Sequence, residues 1–115
     1  EDTKQVDVLG RGAALRHHPS LSAGANVNFV APIGDDNFSI RTFERGVEGE
    51  TLACGTGAVA AAILLESWGV CGPEVRLLTR SGKTLTVSLR RADGAIHPSL
   101  RGEARVVFTG QLAEI

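Results

Sequence analysis

Short runs in which apolar and polar residues alternate make up most of this chain, and one segment breaks the habit. Ala58-Val59-Ala60-Ala61-Ala62-Ile63-Leu64-Leu65 has no polar residue on any face. Such a segment predicts a helix covered all round, running from Thr56 to Trp68, with Gly69 as its C′ residue and Gly72-Pro73 preventing continuation. Asn26 to Ile33 and Phe38 to Phe43 read as strands joined by the turn residues Gly34-Asp35-Asp36-Asn37. Phe38, Ile40 and Thr42 share one face of the second strand, with Ser39, Arg41 and Phe43 on the other. Glu74 to Thr79 and Thr84 to Arg90 read as a second hairpin across Arg80-Ser81-Gly82-Lys83. Ala92-Asp93-Gly94 is a further turn, and Arg105 to Thr109 is read as a final strand. Gln5 to Leu9 is a weak strand or loop, and Arg11 to His18 makes about two helical turns before Pro19. The pattern is α+β: about six short strands around one buried helix, in one domain spanning 1–115 with no repeat, linker or low-complexity stretch.

Composition narrows the classes. A net charge of −1 gives no electrostatic case for nucleic acid or an anionic membrane. The longest apolar run is too short to span a bilayer, and the acidic start, Glu1-Asp2, does not resemble a secretory signal. Cys54 and Cys71 are the only cysteines. They lie near opposite ends of the predicted helix, a separation of ~20 Å, whereas bridged Cα atoms lie within ~7 Å. No disulfide is expected, and free thiols suit a reducing cytoplasm.

Candidate chemistry gathers before the helix, in Glu44-Arg45-Gly46-Val47-Glu48-Gly49-Glu50-Thr51-Leu52-Ala53-Cys54-Gly55-Thr56-Gly57. Cys54 stands at or just before the first helical turn, where N–H groups without partners and the macrodipole favour anions. Thiolate is the reactive form of cysteine, and the N–H groups around Gly55 and Thr56 suit a substrate carboxylate beside the sulfur. A buried free cysteine often serves only as a small hydrophobe, the role assigned to Cys71. Glu44 and Arg45 have opposite charges that suit a zwitterionic amino acid, but also suit an exposed pair worth little. Glu48 and Glu50 are read as loop or helix-start acids without chemistry. Asn26 reads as a cap or turn residue, and Asn28 is read as pointing to the other side of its strand. His17 and His18 lack a third ligand at useful spacing, so no metal site is expected.

Glu44-Arg45-Gly46 followed by Glu50-Thr51-x-Ala53-Cys54-Gly55-Thr56-Gly57-Ala58 resembles the second cysteine motif of diaminopimelate epimerases. Gly24-Ala25-Asn26-Val27-Asn28-Phe29-Val30, after His17-His18-Pro19, resembles the family's substrate-binding Asn segment, and Gly102 to Gly110 is similar to its last strand. Ser20-Leu21-Ser22-Ala23 stands where the family usually has an aromatic and a proline, and Ala25 replaces a common Thr. The resemblance implies the C-terminal half of the enzyme, a barrel of strands enclosing a central helix, without the N-terminal half that bears the partner cysteine. It implies cofactor-independent epimerisation of diaminopimelate for lysine and peptidoglycan precursors. Cys54 would be one of two acid/base groups, Glu44 and Arg45 would bind the substrate, and Asn26 would bond the distal carboxylate or amine. Partners implied are that amino acid and the missing half. The inward face left uncovered and the edge of the final strand predict a homodimer or higher oligomer, with exchange of terminal strands as one route. A proline-racemase relative, which also shows Cys-Gly-Thr-Gly, and a non-catalytic binding or assembly module are the competing readings.

Overall fold

The computed structural model describes residues 2–114. After a short 3-10 turn at Thr3–Gln5, the elements are α1 (Val8–Arg16), β1 (Val27–Gly34), β2 (Asn37–Glu44), β3 (Gly49–Thr51), α2 (Gly55–Ser67), β4 (Glu74–Leu78), β5 (Thr84–Ala92) and β6 (Ala95–Arg101). The fold is α+β, with a six-stranded sheet in the order β1-β2-β4-β5-β6 and β3 attached to β2. All pairings are antiparallel except β2 with β4. β1 fills one edge of β2 from Val27↔Phe43 to Gly34↔Asn37. The other edge is therefore divided, with β4 taking Asn37–Ser39 and β3 taking Thr42–Glu44.

The core lies between the sheet and α2. Phe38 and Ile40 of β2, Val75 and Leu77 of β4 and Val87 of β5 pack against Ala58, Ala61 and Ala62. Each of the fully buried Val75, Leu77 and Val87 contributes about 1.5–3 kcal/mol by leaving water. The small helix residues allow close approach: a Cβ on Gly57 would stand 2.4 Å from Asn28 Oδ1. Past Ser67, the helix stops as the sequence predicts. Gly69 has φ +74, its N–H donates to Glu66 O, and Val70 N–H donates to Leu65 O, the paired bonds of a Schellman ending. Phe43, on the opposite face of β2, is buried where Gly12 of α1 approaches it.

Three expectations change. α2 is covered along Gly57, Ala58, Ala61 and Ala62, while Ala60, Leu64 and Trp68 are exposed. An all-apolar composition sets no facing direction, and among the described residues the sheet covers one side. The final strand is not Arg105–Thr109. Residues 102–114 have no regular structure, and Val106, Val107 and Phe108 are exposed. The free edge of β5 is taken by β6 through the tight Asp93-Gly94 turn, so the last strand of the sheet is Ala95–Arg101. The Pro98 in β6 hides a strand from sequence reading, yet a missing N–H is tolerated there because β6 ends the sheet. Finally, Gln5 to Leu9 holds the start of α1, capped by the Asp7 carboxylate accepting from Gly10 N–H.

Candidate active site

The divided edge of β2 places the start of α2. β3 returns beside β2, and Leu52 O accepts from Ser81 N–H at 2.9 Å, so the β4–β5 turn holds the chain just before the helix. Cys54 is the N-cap residue of α2, extended at φ −140 and ψ 106, and its side chain makes no capping bond. Sγ lies 3.5 Å from Thr56 Oγ1. The first intrahelical bond is Ala58 N–H to Cys54 O, so the amides of Gly55, Thr56 and Gly57 have no acceptor within the helix. A Cβ at Gly55 would meet Leu100 of β6 at 2.8 Å. The arrangement sets a thiol, a hydroxyl and a row of N–H donors around one point.

Both cysteines are free, as their predicted separation requires. Burial pushes the Cys71 thiol up, helped by the negative charges of Asp36 and Glu66. Cys71 therefore holds less thiolate near neutral pH. Cys54 is expected to react with iodoacetamide severalfold faster than Cys71 under native conditions. Peptide mass spectrometry of partially alkylated protein measures this, and equal rates would contradict it.

The Asn segment and the Glu-Arg pair meet at the end of β2. Asn26 Oδ1 accepts from Arg45 N–H at 2.8 Å, and Arg45 Nη1 donates to Ala23 O at 2.8 Å. Asn26 thus keeps its amide donors for another acceptor. Glu44 is half-buried at the end of β2, where its backbone carbonyl accepts from Glu48 N–H at 2.9 Å. Asn28 does not point away from Asn26. Residues two apart share a strand face, and both line a groove of about 460 Å³ that runs along α2 to Trp68. Asn28 Oδ1 accepts from Thr42 Oγ1 at 2.7 Å and presses on Gly57, so it registers β1 and β2 against the first turn of the helix.

The acids set aside in the sequence have structural partners. Glu50 belongs to β3, where its two carboxylate oxygens receive Arg41 Nε and Nη2 at 2.6 and 2.7 Å. This fork holds Glu50 below the usual carboxylate range and raises Arg41. Arg41 also donates to Thr3 O and Val6 O, tying the amino-terminal turn to the sheet. Glu48 bonds Arg16 and His17. His18 Nδ1 contacts Ser20 Oγ. No local spacing signals the Glu48 contacts, since its partners lie about thirty residues earlier and are brought close only by the fold. No helix among the described residues is long and apolar enough to cross a membrane.

The chain is thus an α+β domain with a thiol at the open start of α2 and, at the end of β2, a Glu-Arg pair bonded to the Asn segment. A family model described as diaminopimelate epimerase matches residues 1–107. The chain is 52% identical to the diaminopimelate epimerase of Gemmatimonas aurantiaca, over 98% of this chain and 44% of that protein. It is 44% identical to the one from Aquifex aeolicus, over 99% of this chain and 41% of the relative. For the Chlorobaculum tepidum protein the values are 47%, 94% and 42%. The chain belongs to the diaminopimelate epimerase family, and it spans less than half the length of these relatives.

Proposed function

We propose that this chain is the cysteine-bearing C-terminal half of an enzyme that interconverts LL- and meso-diaminopimelate by two-base proton transfer. The observation that carries the reading is Cys54 at the open start of α2, within a chain so similar to proteins named for that reaction. Inverting the α-carbon requires a proton to leave one face and another to arrive on the opposite face. In one direction Cys54 Sγ, as thiolate, takes the α-proton and becomes a thiol, while a group on the opposite face gives up its own proton to carbon. In the reverse direction Cys54 donates. The α-hydrogen is weakly acidic, so the charge growing on the carboxylate needs support, which the amides of Gly55 and Thr56 supply from fixed positions. Glu44 offers a carboxylate to the ammonium group, and Arg45 offers its guanidinium to a carboxylate. Asn26 completes the cradle with its amide donors. The second acid/base group belongs to a polypeptide that carries the rest of the family's length, and the two halves face each other across the site. The reaction draws on these side chains and amides without a cofactor, in the precursor supply for lysine and peptidoglycan in the cytoplasm.

The reading is tested by incubating the complete enzyme with LL-diaminopimelate in deuterium oxide. Epimerised product with deuterium at the inverted carbon is expected, and absence of both would overturn it. In the same assay Arg45→Lys is expected to raise KM about tenfold, because an ammonium keeps the charge but loses the two-pronged contact. An unchanged KM would remove Arg45 from carboxylate binding.

A further inference from the structure

One residue in the loop between the Glu-Arg pair and β3 takes a backbone conformation that glycine would take more readily. Glu48 has φ +58, two residues after Gly46 at φ +91. A side chain in the left-handed region is disfavoured, so what holds glutamate there is found in its carboxylate contacts. Oε1 accepts from Arg16 Nε at 3.0 Å and Nη2 at 2.8 Å, and from Gly46 N–H at 3.1 Å. Oε2 lies 3.1 Å from His17 Nε2. Glu48 N–H returns to Glu44 O at 2.9 Å. The Gly46 amide, then Arg16 and His17, hold the carboxylate below its usual range, so it stays charged for these contacts near neutral pH.

The other end of the contact reaches the Asn segment. Arg16 is the last residue of α1 and only 17% exposed. Its guanidinium lies across Gly24: a Cβ there would stand 2.0 Å from Nη1 and 3.2 Å from Arg16 O. Gly24, at φ +70, thus admits the arginine and leads within two residues to Asn26. Asn26 in turn holds Arg45 N–H, and Arg45 Nη1 holds Ala23 O. Arg16 and Glu48 therefore close a ring that runs from α1 through residues 23–26 to Arg45 and back through the loop.

We propose that Arg16 and Glu48 are positioning residues for the substrate shell, fixing Glu44, Arg45 and Asn26 relative to one another without touching substrate. The substrate part of this inference rests on the epimerase reading, whereas the clamp itself does not. An isolated exposed ion pair is worth little. Here the pair is forked, shares its acceptor with a backbone amide and closes two loops, so its effect falls on geometry more than on stability.

The test uses the complete enzyme with Glu48→Gly, Glu48→Gln and Arg16→Gln. Glycine removes the carboxylate and suits the backbone, so folding is retained. Glu48→Gly and Arg16→Gln are expected to raise KM about 3–10-fold with kcat changed less than about 2-fold, the pattern of lost uniform binding. Glu48→Gln keeps an acceptor oxygen and is expected to recover most of the KM. Tryptic cleavage after Arg45 supplies a readout independent of turnover, and it is expected to quicken severalfold in Glu48→Gly. Unchanged cleavage would overturn the clamp. Faster cleavage with an unchanged KM would overturn its role in positioning substrate. A wild-type enzyme without epimerase activity would sink the functional reading, while the cleavage comparison would still decide the clamp.

Discussion

Cys54→Ala in the complete enzyme is expected to lower turnover by about 10³-fold or more, in line with the loss of an obligatory acid/base group. Alanine removes Sγ without disturbing the fold, because the Cys54 side chain makes no capping bond and its nearest polar contact is Thr56 Oγ1. The helix should keep its ending at Gly69 and its packing through Ala58 and Ala62. The thermal midpoint should therefore stay close to that of the parent, which separates a chemical loss from unfolding. Cys54→Ser is expected to retain little activity, since a hydroxyl is a much poorer base near neutral pH. Substantial turnover in either variant, measured by chiral separation of the diaminopimelate isomers, would remove Cys54 from the proton-transfer step.

The 115-residue chain alone is expected to lack epimerase activity and to associate with itself. One thiol stands at the start of α2, and the other, Cys71, lies beyond the far end of that helix with its ionisation suppressed. A two-base reaction then lacks its second group. The same chain exposes Leu64 and Trp68 on α2, and Val106, Val107, Phe108 and Leu112 in its last segment. Apolar surface of this kind invites a partner, and the strands that end the sheet, β1 and β6, offer edges for strand addition. A homodimer or larger assembly is expected by sedimentation at micromolar concentration, and adding the remaining part of the family's length is expected to restore turnover. Activity from a dilute, purified monomer would defeat the two-halves reading.

Much of this architecture is legible from local chemistry. The Asp35-Asp36 turn, the Arg80 to Lys83 turn and the Gly69 stop follow from residues that act on their immediate neighbours, and the structure has all three. Cys54 is placed at the helix start by the change from glycine-rich to apolar sequence. The failures have a different origin. β6 contains a proline and follows a very tight turn, so its pairing depends on the free edge of β5 rather than on its own pattern. The uncovered face of α2 depends on how far the sheet reaches, which apolar composition does not encode. Arg16 and Glu48 meet through tertiary structure alone, and neither sequence neighbourhood marks the other. The relation of Asn26 to Asn28 was available throughout, because period-two geometry puts both on one face.

The parallel pairing of β2 with β4 carries a consequence for how the chain reaches its native state. Parallel neighbours cannot be joined by a tight turn. The connection here contains the Glu-Arg loop, β3 and all of α2, and its closure costs entropy before any core contact repays it. Distant pairings of this sort slow folding. Yet the segment that must close is the one that bears the thiol, and Ala58, Ala61 and Ala62 meet Ile40, Leu77 and Val87 only when it has closed. The contacts that close the core are thus the contacts that place Cys54 at the start of α2, so a substitution that loosens Ala58, Ala61 or Ala62 against the sheet also loosens the position of Cys54.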